Sequence, residues 1–216
     1  MLSRTKTLTT LAMLSAIAFF STWLGRVPVV LFLKYDPKDV VIMIGGFLYG
    51  PMAAFMMSFA VSFIEMLTIS ETGVIGLVMN IISSCSFCCT AAFVYKKIHS
   101  IKGAVAGLVF GCFLMTAVML LWNYAIAPIY MGIPRQVVAG MLIPAFLPFN
   151  LIKSGLNAAI SMLVYKPVSA ALGKSGLMPI PEGAGRPAKL NLGVVLASAF
   201  VIISCVLVIL VFQNRI

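Results

Sequence analysis

Three polar side chains lie in the middle of a stretch that is long and apolar enough to cross a bilayer. The stretch covers residues 141–165 and carries Asn150, Lys153 and Asn157 at spacings of three and four residues. On a helix, this spacing places the three side chains on one face. A lysine near the bilayer centre costs at least ~2.5 kcal/mol on insertion scales, so it usually faces protein or a water-filled cavity. The pattern predicts that this helix contributes to a polar site.

The chemistry that these side chains offer is recognition. Asparagine amides donate and accept hydrogen bonds and lysine adds a fixed cation, but neither is a strong nucleophile. Such a set suits a planar heterocycle whose edge carries carbonyl and nitrogen groups. Aromatic residues that are candidates for stacking on such a ring are Trp122, Tyr124, Tyr130 and Phe149.

An alternative is that Lys153 extends along its alkyl stem to a membrane interface. It lies 12 residues after Met141, which is roughly 18 Å at helical rise. That distance exceeds the reach of a lysine side chain. We therefore expect Lys153 to be buried among protein groups.

The composition defines the elements that must position these residues. The chain has 216 residues, of which 62% are hydrophobic and only 9% charged, whereas soluble domains have about 25% charged residues. We therefore predict an all-α, polytopic integral membrane protein. The net charge of +10 does not indicate nucleic-acid binding, because the basic residues lie at loops and helix ends, where membrane topology accounts for them. The first apolar run is long and lacks a cleavage motif before Arg26, so we expect an uncleaved helix and not a signal peptide.

Apolar runs predict seven helices. Glycines at positions 103, 107 and 111 of the fifth helix favour close packing on a neighbour, and Pro144 and Pro148 predict an irregular start to the sixth. The segment 25–39 is too charged to span a membrane and too apolar to be a free linker, which suits a lid over a cavity. The predicted helix bounds are 7–24, 40–50, 51–69, 74–95, 103–124, 141–165 and 190–212.

The helices divide the chain into three parts. We predict a six-helix membrane domain at 1–171, a basic Gly/Pro-rich cytoplasmic loop at 172–189, and an additional C-terminal transmembrane helix at 190–216. With the N-terminus inside, the inner segments carry more lysine and arginine, as the positive-inside rule requires. The inner set is Arg4, Lys6, Lys96, Lys97, Lys102, Lys166, Lys174, Arg186 and Lys189, and the outer set is Arg26, Lys34, Lys38, Arg135 and Arg215.

This orientation places polar groups from four helices in the outer half of the membrane. They are Glu65, Asn80, Asn123, Asn150 and Lys153. Intramembrane polar groups at one depth suggest a single pocket that opens outward. The alternative is that each asparagine separately joins a pair of helices.

The cysteines favour packing over metal binding. All five lie within apolar runs, and the chain has a single histidine in a basic loop. The C-x-x-C-C pattern at 85–89 could place thiols on one face of a helix, but no histidine or carboxylate lies nearby to complete a zinc site, so packing of small residues is the better interpretation. We therefore predict no metal site. The cysteines are Cys85, Cys88, Cys89, Cys112 and Cys205.

Four motifs carry a resemblance to a known family. They are KYDPKDVVIMIGGFLYGP at 34–51, TGVIG leading to Asn80, WNYAIAPIY at 122–130, and FNLIK at 149–153. Their order and spacing resemble the substrate-binding S components of energy-coupling-factor (ECF) vitamin transporters, most closely the riboflavin-specific branch. The resemblance covers about residues 7–171. The seventh helix departs from it, because the family core has six helices.

The resemblance implies a compact six-helix protein whose loop between the first two helices closes over the vitamin from outside. It implies that Asn123, Asn150 and Lys153 hold the isoalloxazine ring. It also implies that Ala12 and Ala16, an A-x-x-x-A pair in the first helix, form the face offered to the transmembrane coupling subunit. The predicted substrate-binding residues are Asn123, Asn150, Lys153, Asn80, Glu65 and Tyr35.

We accordingly predict the riboflavin-capture subunit of an ATP-driven importer in a bacterial cell membrane. Its expected partners are riboflavin, the ECF transmembrane coupling subunit, two ATP-binding subunits and membrane lipid, and we expect neither nucleic acid nor a cofactor apart from riboflavin as transported ligand. One alternative is an S component for thiamine, biotin or folate. Another is an ATP-independent secondary transporter in which Glu65 titrates. A membrane enzyme would need a base, nucleophile or metal cluster, and the chain offers only Glu65 and the outer aspartates. We therefore predict no catalytic residues.

Overall fold

The computed structural model describes residues 4–30, 33–175 and 192–213, and within these ranges the chain forms seven helices and one small β hairpin. Four of the five uninterrupted helices and the two strands are α1 Arg4–Gly25, β1 Val27–Val30, β2 Leu33–Tyr35, α2 Lys38–Tyr49, α3 Pro51–Thr68 and α5 Ile101–Met131. The fourth helix, α4, joins Gly73–Ser84, Cys85–Cys89 and Thr90–Lys97. The sixth, α6, joins Arg135–Met141, Leu142–Phe146 and Leu147–Lys174, and α7 is Leu192–Phe212.

Among the described residues, every helix except α2 is long and apolar enough to cross a membrane. The prediction of an all-α integral membrane protein with a six-helix core and a C-terminal seventh helix is confirmed. The start of the predicted cytoplasmic loop at 172–189 differs, because α6 continues to Lys174. Residues 176–191, which hold the rest of that loop, lie outside the described residues.

Two helices contain a π-helical turn. In α6 it covers Leu142–Phe146 and includes Pro144, and the N–H of Leu147 bonds back to the carbonyl of Leu142. A proline has no N–H to donate, so the regular bonding pattern cannot continue there. The irregularity predicted near the start of the sixth helix is therefore present at residues 142–146, one turn before Asn150.

The ends of α5 and α6 differ from the prediction. Helix α5 continues through Pro128 to Met131, and Gly132 ends it with a φ of 65°. A proline near a helix end removes only one backbone bond, so it does not have to stop the helix. Helix α6 begins at Arg135, six residues before the predicted start. Pro134 directly precedes it with a φ of −59°, and the N–H that proline lacks is not needed at a helix start.

Close packing of α5 on α4 depends on its glycines. A Cβ at Gly107 would lie 2.7 Å from the carbonyl oxygen of Ala91, and one at Gly111 would lie 2.8 Å from that of Phe87. Any larger residue would therefore push the helices apart. The predicted role of the glycine row is confirmed. Helix α5 carries Asn123 further along its length.

Helix α2 is short and enclosed. Its 12 residues include nine that are buried, and at Gly46 it approaches Ala54 of α3 and Ala92 of α4 so closely that a Cβ would lie 3.1 Å from each. The link to α3 is Gly50, whose φ of 93° suits glycine, followed by Pro51. Helices α2 and α3 thus form an antiparallel pair, with the start of α2 beside the end of α3.

Helices α1 and α7 lie on the outside of the bundle. Helix α1 buries Leu11, Leu14 and Ala18 against α2 and α3, and it leaves Ala12 and Ala16 exposed. Helix α7 packs along α6 and is otherwise mostly uncovered. The small-residue pair of α1 is therefore accessible to another protein.

Candidate binding pocket

A cavity of about 270 Å³ lies between the hairpin, the end of α3, the start of α4, the end of α5 and α6. Five of the predicted site residues line it, and they come from four helices: Glu65, Asn80, Asn123, Asn150 and Lys153. The common depth deduced from the sequence thus corresponds to one shared space in the structure. The sixth predicted residue, Tyr35, does not line the cavity.

The two asparagines of α5 and α6 leave hydrogen-bonding capacity free. Asn123 donates from Nδ2 to the carbonyl of Met119 at 2.7 Å, and Asn150 donates to that of Phe146 at 2.8 Å. Each side chain is thus fixed by its own helix and does not join a pair of helices. An asparagine amide has two N–H donors and a carbonyl acceptor, so a second donor on each remains for a ligand in the cavity.

Lys153 is held between two carboxylates. Its Nζ lies 3.7 Å from Oδ1 of Asp36 and 3.9 Å from Oδ2 of Asp39, and the Lys153 and Asp36 side chains are each only 8% exposed. These distances are longer than a direct charge-assisted hydrogen bond of about 2.7–2.9 Å. The ammonium is therefore electrostatically compensated but keeps donors for a ligand. The prediction that Lys153 is buried with protein partners is confirmed.

A second buried ion pair lies beside the cavity, where Glu65 and Asn80 line it. Lys38 Nζ lies 2.6 Å from Oε2 of Glu65, and the same oxygen accepts a bond from Asn80 Nδ2 at 3.0 Å. Both charged side chains are almost fully buried. The assignment of Lys38 to the outer loop charges is therefore wrong: α2 begins at this residue, inside the protein, because Glu65 supplies the counter-charge there.

Two of the polar groups predicted from sequence lie behind the pocket. The hydroxyl of Tyr35 donates to Oδ1 of Asn157 at 2.8 Å, and Asn157 donates to Oδ2 of Asp39 at 3.3 Å. Ser84 of α4 donates to the other oxygen of Asp39 at 2.5 Å. Burial raises the pKa of Tyr35, so its hydroxyl stays protonated and can donate. Tyr35 therefore anchors the hairpin to α6.

The ionisation of Asp36 is set by its neighbours. Burial alone would raise the pKa of this carboxyl, but the positive charges of Lys153, Lys38 and Arg26 outweigh burial and hold the pKa below its usual value. Asp36 is consequently ionised at neutral pH. Since it follows β2 directly, it links the hairpin electrostatically to Lys153.

The remaining walls are largely apolar and aromatic. Phe146 and Phe149 of α6 and Tyr130 of α5 line the cavity, together with Met79 and Met119. Of the four predicted stacking residues, the structure places Tyr130 and Phe149 at the cavity. Trp122 does not line it, and Tyr124 is exposed with the guanidinium of Arg135 over its ring at 5.5 Å. The cavity therefore combines flat apolar surfaces with a polar edge.

Sequence reasoning missed the buried roles of Asp36, Lys38 and Asp39. The only signal was local: the four charges of KYDPKD at 34–39 come just before an otherwise uncharged apolar run at 40–50. Charges at such a position usually mark the membrane surface. Within the described ranges, no group of histidine, cysteine and carboxylate side chains could hold a metal ion.

Comparison with known proteins gives concordant matches. Residues 6–165 match the family described as ECF transporter, substrate-specific component. The chain is 31% identical over 180 residues to the riboflavin transporter FmnP of Bacillus subtilis (strain 168), covering 75% of this chain and 91% of that protein. It is 29% identical over 174 residues to the riboflavin transporter RibU of Staphylococcus aureus (strain TCH60), covering 76% and 91%. A solved S component of a bacterial ECF transporter superposes with a TM-score of 0.67 at 28% identity, covering 79% of this chain and 99% of that one.

Proposed function

Because this chain belongs to the family of substrate-specific components of ECF transporters, as its motifs predicted, we propose that it is the subunit that captures riboflavin for an ATP-driven importer. The relatives are riboflavin transporters, and the protein is a multi-pass membrane protein. The described residues that line the cavity supply amide, ammonium and aromatic groups suited to binding a ligand. ATP hydrolysis is assigned to partner subunits that dock through a transmembrane coupling subunit.

The single observation that carries the riboflavin assignment is the wall formed by Asn123, Asn150 and Lys153. Two amides with free donors and one ammonium face the same cavity. The isoalloxazine ring is planar and carries carbonyl oxygens and ring nitrogens along one edge, so this edge is complementary to the wall. Phe149 and Tyr130 provide apolar surface for the flat ring.

Glu65 and Asn80 lie on a different wall, where we assign them to the sugar-like chain of the ligand. One oxygen of Glu65 is fully used by Lys38 and Asn80, whereas Oε1 is buried without a hydrogen-bond partner. A hydroxyl group can donate to such an acceptor and thereby remove the cost of leaving it unpaired. A polyol is therefore the chemistry that this wall favours.

The ion pair of Glu65 argues against a proton-coupled carrier. A carrier of that kind needs a carboxylate that gains and loses a proton during each cycle. Glu65 Oε2 lies 2.6 Å from Lys38 Nζ, so loss of the Glu65 charge would deprive a fully buried lysine of its nearest counter-charge. The ATP-driven mechanism requires no titration of this residue.

We propose that the N-terminus is cytoplasmic and that the pocket faces outside. Helix α2 runs from the pocket to Phe47, whose ring packs on Tyr95 at 4.7 Å and on Tyr165 at 5.4 Å. Next to these tyrosines lie Lys96, Lys97 and Lys166, so the basic end is opposite the pocket. Because Lys38 is buried in the protein, it no longer counts among the basic residues of the outer segments. The excess of lysine and arginine on the cytoplasmic side is then larger, which supports this orientation.

The test is direct binding by the purified protein in detergent, without partner subunits. Riboflavin fluorescence should be quenched on titration, because stacking on Phe149 and Tyr130 occurs within the isolated chain. Thiamine, biotin and folate serve as competitors. If one of these displaces riboflavin completely at lower concentration, or if riboflavin fails to bind, the ligand assignment is wrong while the family assignment remains.

A further inference from the structure

Helix α7 contacts the hairpin that borders the pocket, although it lies beyond the residues that match the family. We propose that α7 acts as a brace: the hairpin moves away from the pocket, and bound ligand leaves, only after the contacts between α7 and the hairpin break. The part of this inference that concerns ligand release rests on the proposed function. The part that concerns hairpin motion does not.

The first contact is polar. Gln213, directly after α7, donates from Nε2 to the carbonyl oxygen of Pro28 at 2.7 Å. Pro28 lies in β1, which pairs in antiparallel register with β2 and has no second neighbouring strand in the described sheet. The glutamine therefore satisfies a backbone acceptor on a strand edge, a position where natural proteins need a partner or a cover.

The second contact is apolar. Ile202, Cys205 and Ile209 of α7 pack against a buried cluster that joins the hairpin to α6. From the hairpin the cluster contains Val29 and Tyr35, and from α6 it contains Ala145, Phe149, Ile152 and Leu156. One side of α7 thus packs against a cluster that joins both strands to α6 and includes Phe149, which lines the pocket.

The other side of α7 has no such role in the described structure. Ile203 is 59% exposed and Phe200 is 72% exposed. A helix that only crossed a bilayer would not need a buried side or a glutamine aimed at a strand. Helix α7 thus packs mainly along α6 and, on the same side, contacts β1 of the hairpin.

The brace acts on the part of the hairpin that contacts the cavity. Pro28 pairs with Lys34, and Leu33, Lys34 and Asp36 line the pocket. Moving β1 away from α7 would pull β2 with it. This motion would separate Asp36 from Lys153 and open the cavity on that side.

Limited trypsin digestion of the ligand-free protein in detergent tests hairpin motion without riboflavin. Cleavage after Lys34 requires the next residue, Tyr35, to leave its buried position. The loop after Lys97, at the opposite end of the bundle, is the internal reference site. Loss of one hydrogen bond should raise the ratio of the two cleavage rates roughly two- to tenfold in Gln213→Ala, with a similar rise in Ile209→Ala. The matched control Ile203→Ala, which removes the same atoms from the exposed side, should not change it.

Riboflavin dissociation, followed by recovery of flavin fluorescence after dilution, should speed up by a similar factor in Gln213→Ala and Ile209→Ala. The proposal is overturned if both variants are cut after Lys34 at the parental rate. It is equally overturned if cleavage at the two sites rises together, since α7 would then contribute only general stability. If the digestion result holds but no variant, including the parent, binds riboflavin, the brace stands and the proposed function fails.

Discussion

Replacing Lys153 by methionine separates two roles of this lysine, because the structure shows that it compensates buried carboxylates as well as facing the cavity. The substitution leaves Asp36 and Asp39 without their cation at 3.7 and 3.9 Å. Each pair is worth about 4 kcal/mol at an effective dielectric constant of ~20 before desolvation is counted. Removing one partner of a buried pair typically costs about 3–5 kcal/mol. Lys153→Met should therefore lower the thermal unfolding temperature. The simpler expectation that deleting an intramembrane charge lowers the cost of burial does not apply here.

Riboflavin affinity should fall in the same variant for a second reason. A hydrogen bond from a charged donor contributes about 1.5–3 kcal/mol, so its loss should weaken binding roughly 10- to 100-fold. The double variant Lys153→Met/Asp36→Asn distinguishes the two effects. Asp39 keeps its bonds from Ser84 and Asn157, so the double variant should regain most of the lost stability but none of the lost affinity.

Fluorescence titration with riboflavin and thermal unfolding in detergent measure the two quantities on the same preparations. Asp36→Asn alone is the control for loss of the carboxylate. If the double variant recovers parental affinity, Lys153 acts only by neutralising Asp36, and its assignment as a ligand contact is refuted. Parental affinity in Lys153→Met itself would refute it more directly.

Three further outcomes are expected. Enlarging Ala12 and Ala16 to leucine should leave riboflavin binding intact but abolish uptake by cells, because the exposed close-packing face of α1 is lost; normal uptake would show that docking occurs elsewhere. Asn150→Leu should weaken binding roughly tenfold in titrations, whereas Asn157→Leu, whose side chain lies behind the pocket, should weaken it less; the reverse order would contradict the geometry. Because the pKa of Asp36 is lowered, its ion pair forms fully above the ordinary value of about 3.9 and is lost only below it. Titrations between about pH 8 and pH 5 should therefore show no weakening due to this residue, and a loss of affinity near pH 6 would contradict its assigned ionisation.

The sequence allowed the helices and the polar pocket to be predicted because each rests on a local pattern. Apolar runs define spans, and the direction of each span fixes the depth of Glu65, Asn80 and Asn123. Glycines spaced by four residues indicated that α5 packs closely on a neighbour, which the structure identifies as α4. These features depend on spacing along one helix or on the alternation of successive helices, and both are visible in the chain itself.

The ion pairs could not be predicted in the same way. Lys38 and Glu65 are 27 residues apart and Tyr35 and Asn157 are 122 apart. Such pairing depends on how deeply the hairpin and the start of α2 pack between the other helices, and no local sequence pattern predicts that depth. The contact of Gln213 with Pro28 joins residues 185 positions apart, so no local sequence pattern could predict it either. Helix ends were also misjudged, because a proline near a terminus permits more helix than its ordinary effect in mid-helix suggests.

The antiparallel pair of α2 and α3 has a consequence for biosynthesis. At 12 residues, α2 is about 18 Å long, too short to cross a hydrocarbon core of about 30 Å. It also begins with two charged residues, which makes independent release from the translocon into lipid unfavourable. The tight link at Gly50 and Pro51 brings Lys38 to Glu65, so the two charges neutralise each other when both helices enter lipid together. We therefore expect the translocon to release α2 and α3 into lipid as one unit. Until α3 has been synthesised, α2 should remain in an aqueous or protein environment.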